Sequence, residues 1–174
     1  MRALREWLGL EPGAPASGDD TETVRRIAGE LGRLEPDRAR FLASFAYVLA
    51  RVANADLDVT DDEVRAMERI VAETGELPAD QAALAVQIAK SQAVNLGGTE
   101  DYLVTRQFRG VSERGDRIAL IRCLFAVAAA DGSISQLENQ RISQIGSELG
   151  LTAAEVTACR LAFREHLAVL KDLP

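Results

Sequence analysis

Leu49-Ala-Arg-Val-Ala-Asn-Ala-Asp56 and Leu124-Phe-Ala-Val-Ala-Ala-Ala-Asp131 are two versions of one octad, with their closing aspartates 75 positions apart (56 to 131). The correspondence continues on both sides of the aspartates. Val59-Thr60 lies over Ile134-Ser135, Glu63 over Glu138, Met67 and Ile70 over Ile142 and Ile145, and Gly75 over Gly150. At the same offset Asp80 lies over Glu155. Each copy reads as an apolar helix, an acidic turn, an amphipathic helix, a glycine and a third helix. An apolar face repeated at matching positions implies that neither copy buries its core alone.

Working outward, helix signals follow one another with no alternating strand pattern. Asp20 or Thr21 opens a helix running to about Leu34, and Pro36 opens a long apolar segment over 38–55. Thr60 begins a helix that Gly75 closes, and Pro78 begins one ending near Gly97-Gly98. A shorter helix covers 99–108, bounded by Gly110. Ser112 caps a long helix to Ala130, Ser135 starts one ending at Gly150, and Thr152 starts a last helix reaching about Lys171. Caps at the starts and glycines at the ends agree with the i, i+3, i+4 spacing of apolar residues. The expectation is an all-α, compact bundle of about seven to eight helices, formed by two pseudo-twofold-related repeats at about 37–97 and 112–172. Residues 21–174 form that domain. Residues 1–20 carry a short helix with Leu4, Trp7 and Leu8 on one side, followed by a Pro/Gly-rich linker over 11–20.

Composition supports the same class. The 174 residues are 47% apolar but only 5% aromatic, a mixture that suits close helix packing. The formal net charge of −7 opposes nucleic acid and anionic membrane surfaces as partners. No stretch approaches the roughly 20 apolar residues of a membrane span. Cys123 and Cys159 form no CxxC pair and sit in apolar helical patterns, as reduced core thiols do. With no signal-peptide pattern at the start, a cytoplasmic location is expected.

Chemistry, if any, belongs to the acidic turns. Asp56, Asp58, Asp61, Asp62 and Glu63 crowd together with no Lys or Arg among them, so that like charges repel unless a cation is near. Asp131-Gly-Ser-Ile-Ser-Gln-Leu-Glu138 has the spacing of the latter half of an EF-hand loop. Its first half is missing, since Val127 and Ala129 stand where the first ligands would be. A second explanation competes with metal binding: Thr60-x-x-Glu63 and Ser135-x-x-Glu138 are both capping boxes. Capping explains Asp56 and Asp131 less well, because each ends a long helix, where the macrodipole disfavours a carboxylate.

At these residues the chain resembles the TerB-like family, the group of the tellurite-resistance protein TerB and the N-terminal region of the co-chaperone DjlA. The resemblance rests on Ala130-Asp131-Gly132, Ile134-Ser135 and Glu138, and on Ala55-Asp56, Asp58, Val59-Thr60 and Glu63, with Leu57 where the family has Gly. It implies an all-helical fold with an acidic site for a divalent cation such as calcium. The candidate ligands it carries over are Asp56, Asp58, Glu63, Asp131 and Glu138. It also implies a sensing or scaffold role in stress response, through a protein partner and without insertion into the membrane.

Catalysis is not expected. The lone His166 reads as a partly exposed surface residue, Gly97-Gly98 lacks the lysine and strand of a phosphate loop, and no HExxH, GxSxG or dinucleotide fingerprint occurs. The 99–111 segment combines Tyr102, Arg106, Phe108 and Arg109, anchors common at interfaces. Its plainer reading is a connecting helix between the repeats, with its aromatics in the core.

Overall fold

A computed structural model describes residues 18–52, 61–92, 98–130 and 132–167. Among them are eight α-helices: α1 (Gly18–Leu31), α2 (Pro36–Ala50), α3 (Asp61–Thr74), α4 (Ala79–Gln92), α5 (Gly98–Val111), α6 (Arg114–Ala129), α7 (Gln136–Glu148) and α8 (Ala153–Leu161). A 3-10 turn, Arg164–His166, follows. The all-helical expectation holds. The short helix expected at Met1–Leu10 and most of the linker lie outside the described residues, and the linker's last three residues form the first turn of α1.

Two helices form the centre. Every residue of α2 from Phe41 to Ala50 is buried. A helix that is apolar all round needs neighbours on every side, and α2 packs against α4, α5 and α6. Ser44, the polar residue within this run, donates back to the carbonyls of Arg40 (2.7 Å) and Phe41 (3.0 Å), so its hydroxyl costs little to bury. The other centre is α6, which buries Leu120, Ile121, Cys123, Leu124 and Phe125 and packs against α3, α7 and α8. Phe108 of α5 is fully buried against Phe41 and Phe45, with ring centroids 5.1 and 6.0 Å away.

The offset of 75 survives in three dimensions as far as the acidic turns: α3 starts at Asp61 and α7 at Gln136. Beyond them it slips to 74. The left-handed residue that ends the middle helix is Glu76 (φ 55) in the first copy and Gly150 (φ 75) in the second, and α4 and α8 start at Ala79 and Ala153. Gly75 and Gly150 therefore match in sequence but not in role. A Cβ on Gly75 would lie 2.5 Å from the Val71 carbonyl oxygen and 3.0 Å from the Phe45 ring, so Gly75 is there for closeness. Gly150 is there for its backbone angle.

Other boundaries depart from expectation too: α5, expected over 99–108 and bounded by Gly110, runs from Gly98 through Gly110 to Val111, and three more differ. The first central helix, expected to about Ala55, ends at Ala50, where the Arg51 carbonyl accepts from Arg141 (3.0 Å). Glu113, not Ser112, precedes α6. The Glu113 amide donates to Asp116 (2.7 Å), whereas the Ser112 hydroxyl accepts from Arg117 (3.2 Å). The last helix, expected to reach Lys171, stops at Leu161. The chain there leaves helical geometry to hand the His166 carbonyl to the Ile134 amide at 2.6 Å, and Ile134 and Leu167 form a parallel bridge.

Candidate functional site

The second acidic turn is built by its flanks. Helix α6 ends at Ala129, and Gly132 turns the chain with a left-handed φ of 86, which a Cβ would strain. Ile134 then plugs into the core, where its amide is satisfied by His166. Ser135 caps α7 by accepting from the Glu138 amide (3.2 Å). Glu138 answers through Oε2, which accepts from the Ser135 amide (2.8 Å) and hydroxyl (2.6 Å). The expected capping box is present. Both bonds fall on Oε2, so Glu138 caps the helix with one oxygen and keeps Oε1 for another contact.

Of the five candidate ligands, Asp56, Asp58 and Asp131 lie outside the described residues. Glu63 stands exposed in the first turn of α3, is already engaged in an interaction, and lies in sequence between Asp62 and Arg65, which pair at 2.8 Å. Among the described residues, no three His, Cys, Asp or Glu side chains converge.

What the structure does join is the end of α2, just before the first turn, and α7, which follows the second. The Arg141 guanidinium, on α7 one helical turn after Glu138, donates to the carbonyl of Arg51 at the end of α2. The guanidinium of Arg141 thus stands beside Arg51, at the last described residues before the first acidic turn. Arg51 itself is buried. Its Nη1 donates to Glu148 at the end of α7 (2.8 Å) and to the Thr105 hydroxyl, and its Nε lies 3.5 Å from Asp101 of α5. Gln144 donates to the other Glu148 oxygen (2.9 Å). Burial alone raises the Glu148 carboxyl, but the bond and charge of Arg51, with Thr105 and Gln144, outweigh it and hold it below its ordinary range.

Sequence reasoning missed this hub. Its signal was present in the octad, where Arg51 stands over Ala126: a charge inside a run otherwise uncharged before its closing aspartate. Chemically the ensemble offers carboxylate oxygens at two helix starts, hard donors suited to Ca²⁺ or Mg²⁺. His166 is half-buried in the 3-10 turn.

The model of one protein family, the tellurite resistance protein TerB, matches residues 41–161. The chain belongs to the TerB family. The match runs from the buried core of α2 to the end of α8, so it takes in both acidic turns and leaves out the N-terminal segment and α1. No curated protein and no solved structure gives a match. Membership makes this a tellurite-resistance-related domain. No described helix of this TerB-family chain is long and apolar enough to cross a membrane.

Proposed function

We propose that this chain is a non-enzymatic, cytoplasmic stress-response module that binds a divalent cation weakly at its acidic turns and acts through contact with a protein partner. The observation that carries the reading is the family match across residues 41–161, which spans both turns. Two features support it. The Arg141–Arg51 bond sets the border of the first turn beside α7, whose start carries the second. Glu138 also caps through a single oxygen, so ligation and capping are compatible.

Asp56, Asp58, Glu63, Asp131 and Glu138 are the residues that would hold the cation, with calcium suited to such an all-oxygen set. A bound cation would relieve the repulsion between carboxylates and tie the start of α3 to the start of α7. Calorimetric titration of calcium, magnesium and zinc into chelator-treated protein tests this. Binding heat is expected for the wild type and its loss in an Asp56→Ala/Asp131→Ala double variant. Heat that the double variant retains would reject the site. A second reading, a structural interaction domain whose acidic turns only cap helices, is favoured by the complete Ser135–Glu138 box. It predicts no heat from any of the three ions.

A further inference from the structure

The middle helix α5 has two faces of opposite character. Val104, Thr105 and Phe108 point into the protein and are buried. Tyr102, Leu103, Arg106, Arg109 and Gly110 are exposed, and their i, i+1, i+4, i+7, i+8 spacing puts them on one stripe. Tyr102 (54% exposed) and Leu103 (43%) are neighbouring large hydrophobic residues on that stripe, whereas exposed Leu137 and Leu161 stand singly on α7 and α8. Single exposed leucines are ordinary, whereas a tyrosine followed along the stripe by two arginines supplies residue types enriched among interface anchors.

The charges on the stripe are uncompensated. Three exposed arginines elsewhere find a carboxylate three residues earlier: Arg33 with Glu30, Arg40 with Asp37, Arg65 with Asp62. Three residues before Arg106 stands Leu103, and three before Arg109 stands Arg106. Neither guanidinium makes an ion pair among the described residues, and that of Arg109 rests against Gly150. Asp101, one residue before Tyr102, lies against Arg51 instead.

We propose that this stripe of α5 docks an acidic amphipathic helix of a partner protein, its leucines against Tyr102 and Leu103 and its glutamates against Arg106 and Arg109. The proposal rests on the protein-contact half of the function above and not on the cation. Charge selects the occupant. The chain's own Met1–Leu10 carries Arg2 and Arg5 against Glu6, and would bring like charge to the stripe. A large polyanion or anionic membrane would meet the −7 of the whole molecule, whereas a single helix covers the stripe alone. The stripe is one helix face, well short of the roughly 800 Å² per partner of a standard interface, so it fits a transient contact better than a stable dimer.

The test is a titration of the full ¹⁵N-labelled chain, in chelator, with a synthetic helical peptide of leucines at i, i+4, i+7 and glutamates elsewhere. Amide shifts concentrated over 102–110 are expected. Binding should be weaker by roughly tenfold or more in an Arg106→Glu/Arg109→Glu variant, and for the same peptide with lysines in place of glutamates. An unchanged spectrum outside α5 establishes that the variant folds. Equal binding of both peptides, or self-association of the free chain through the stripe, overturns the proposal. So do shifts over 102–110 caused by deleting residues 1–17, or by vesicles of anionic lipid in place of the peptide. Shifts confined to another face overturn the α5 assignment while leaving the contact reading standing, and no shifts at all reject both.

Discussion

Burying a guanidinium is costly unless its charge and its N–H groups find partners. The Nη1 of Arg51 bonds Thr105 on α5 and Glu148 on α7, while its Nε has the Asp101 carboxylate at 3.5 Å but no hydrogen bond among the described residues. Replacing Arg51 with methionine leaves Glu148 and Asp101 without their counter-charge. We expect Arg51→Met to cost about 2–4 kcal/mol at neutral pH, read by urea denaturation. The pH dependence has a definite sign. Because the Glu148 carboxyl is held below its ordinary 4.5, its contribution is fully present above that value and is lost as pH falls through its lowered folded value. Melting temperatures measured between pH 6 and 3 should therefore fall for the wild type, and fall less for Arg51→Met. The cysteines behave as their burial dictates. Burial pushes the Cys123 thiol up to about 12 and raises that of Cys159 as well. Neither should react with a thiol reagent at pH 8 until denaturant is added, and fast labelling of the folded chain would contradict the packing described.

Among the elements, helix ends carry the information. The starts of α7 and α8 were legible because Ser135 with Glu138, and Thr152 with Glu155, announce reciprocal caps, and both form. The end of α3 was not. Glu76 occupies a left-handed position at φ 55, one residue after the glycine that sequence reading would place there. Gly75 was already committed to close contact with Val71 and Phe45, so the turn falls on its neighbour. Glu76→Gly is expected to stabilise the chain by about 1 kcal/mol, since it removes a Cβ from a strained angle. Gly150→Ala should destabilise it by at least as much, because it adds a Cβ both to such an angle and 3.0 Å from the Arg109 guanidinium. Equilibrium unfolding of the two variants checks both signs. No local pattern predicts that α8 stops at Leu161 and that the chain beyond it pairs with Ile134, far away in sequence.

For the whole molecule, the Ile134–His166 bond fastens the C-terminal segment over the second acidic turn, with Phe163 stacked on Phe125 at 6.3 Å beside it. Removing residues 164–174 would leave a buried amide without its partner. A loss of about 1–3 kcal/mol is expected, with much faster hydrogen exchange at Ile134 than at other core amides. Exchange at Ile134 unchanged by the deletion would show that the fastening is idle.

By itself, the sequence determined the helical class, the duplication in the chain, and the caps at the starts of α7 and α8, because periodicity and capping are local and recur within one or two turns of chain. It also pointed to the acidic turns as the place for chemistry. Only tertiary structure decided that Arg51 and Arg141 meet just before the first turn, that Phe108 is core while Tyr102, Arg106 and Arg109 face outward, and that the second turn is fastened by His166. Each of these joins residues tens of positions apart, and a charge or an amide finds a distant partner only once the helices have packed.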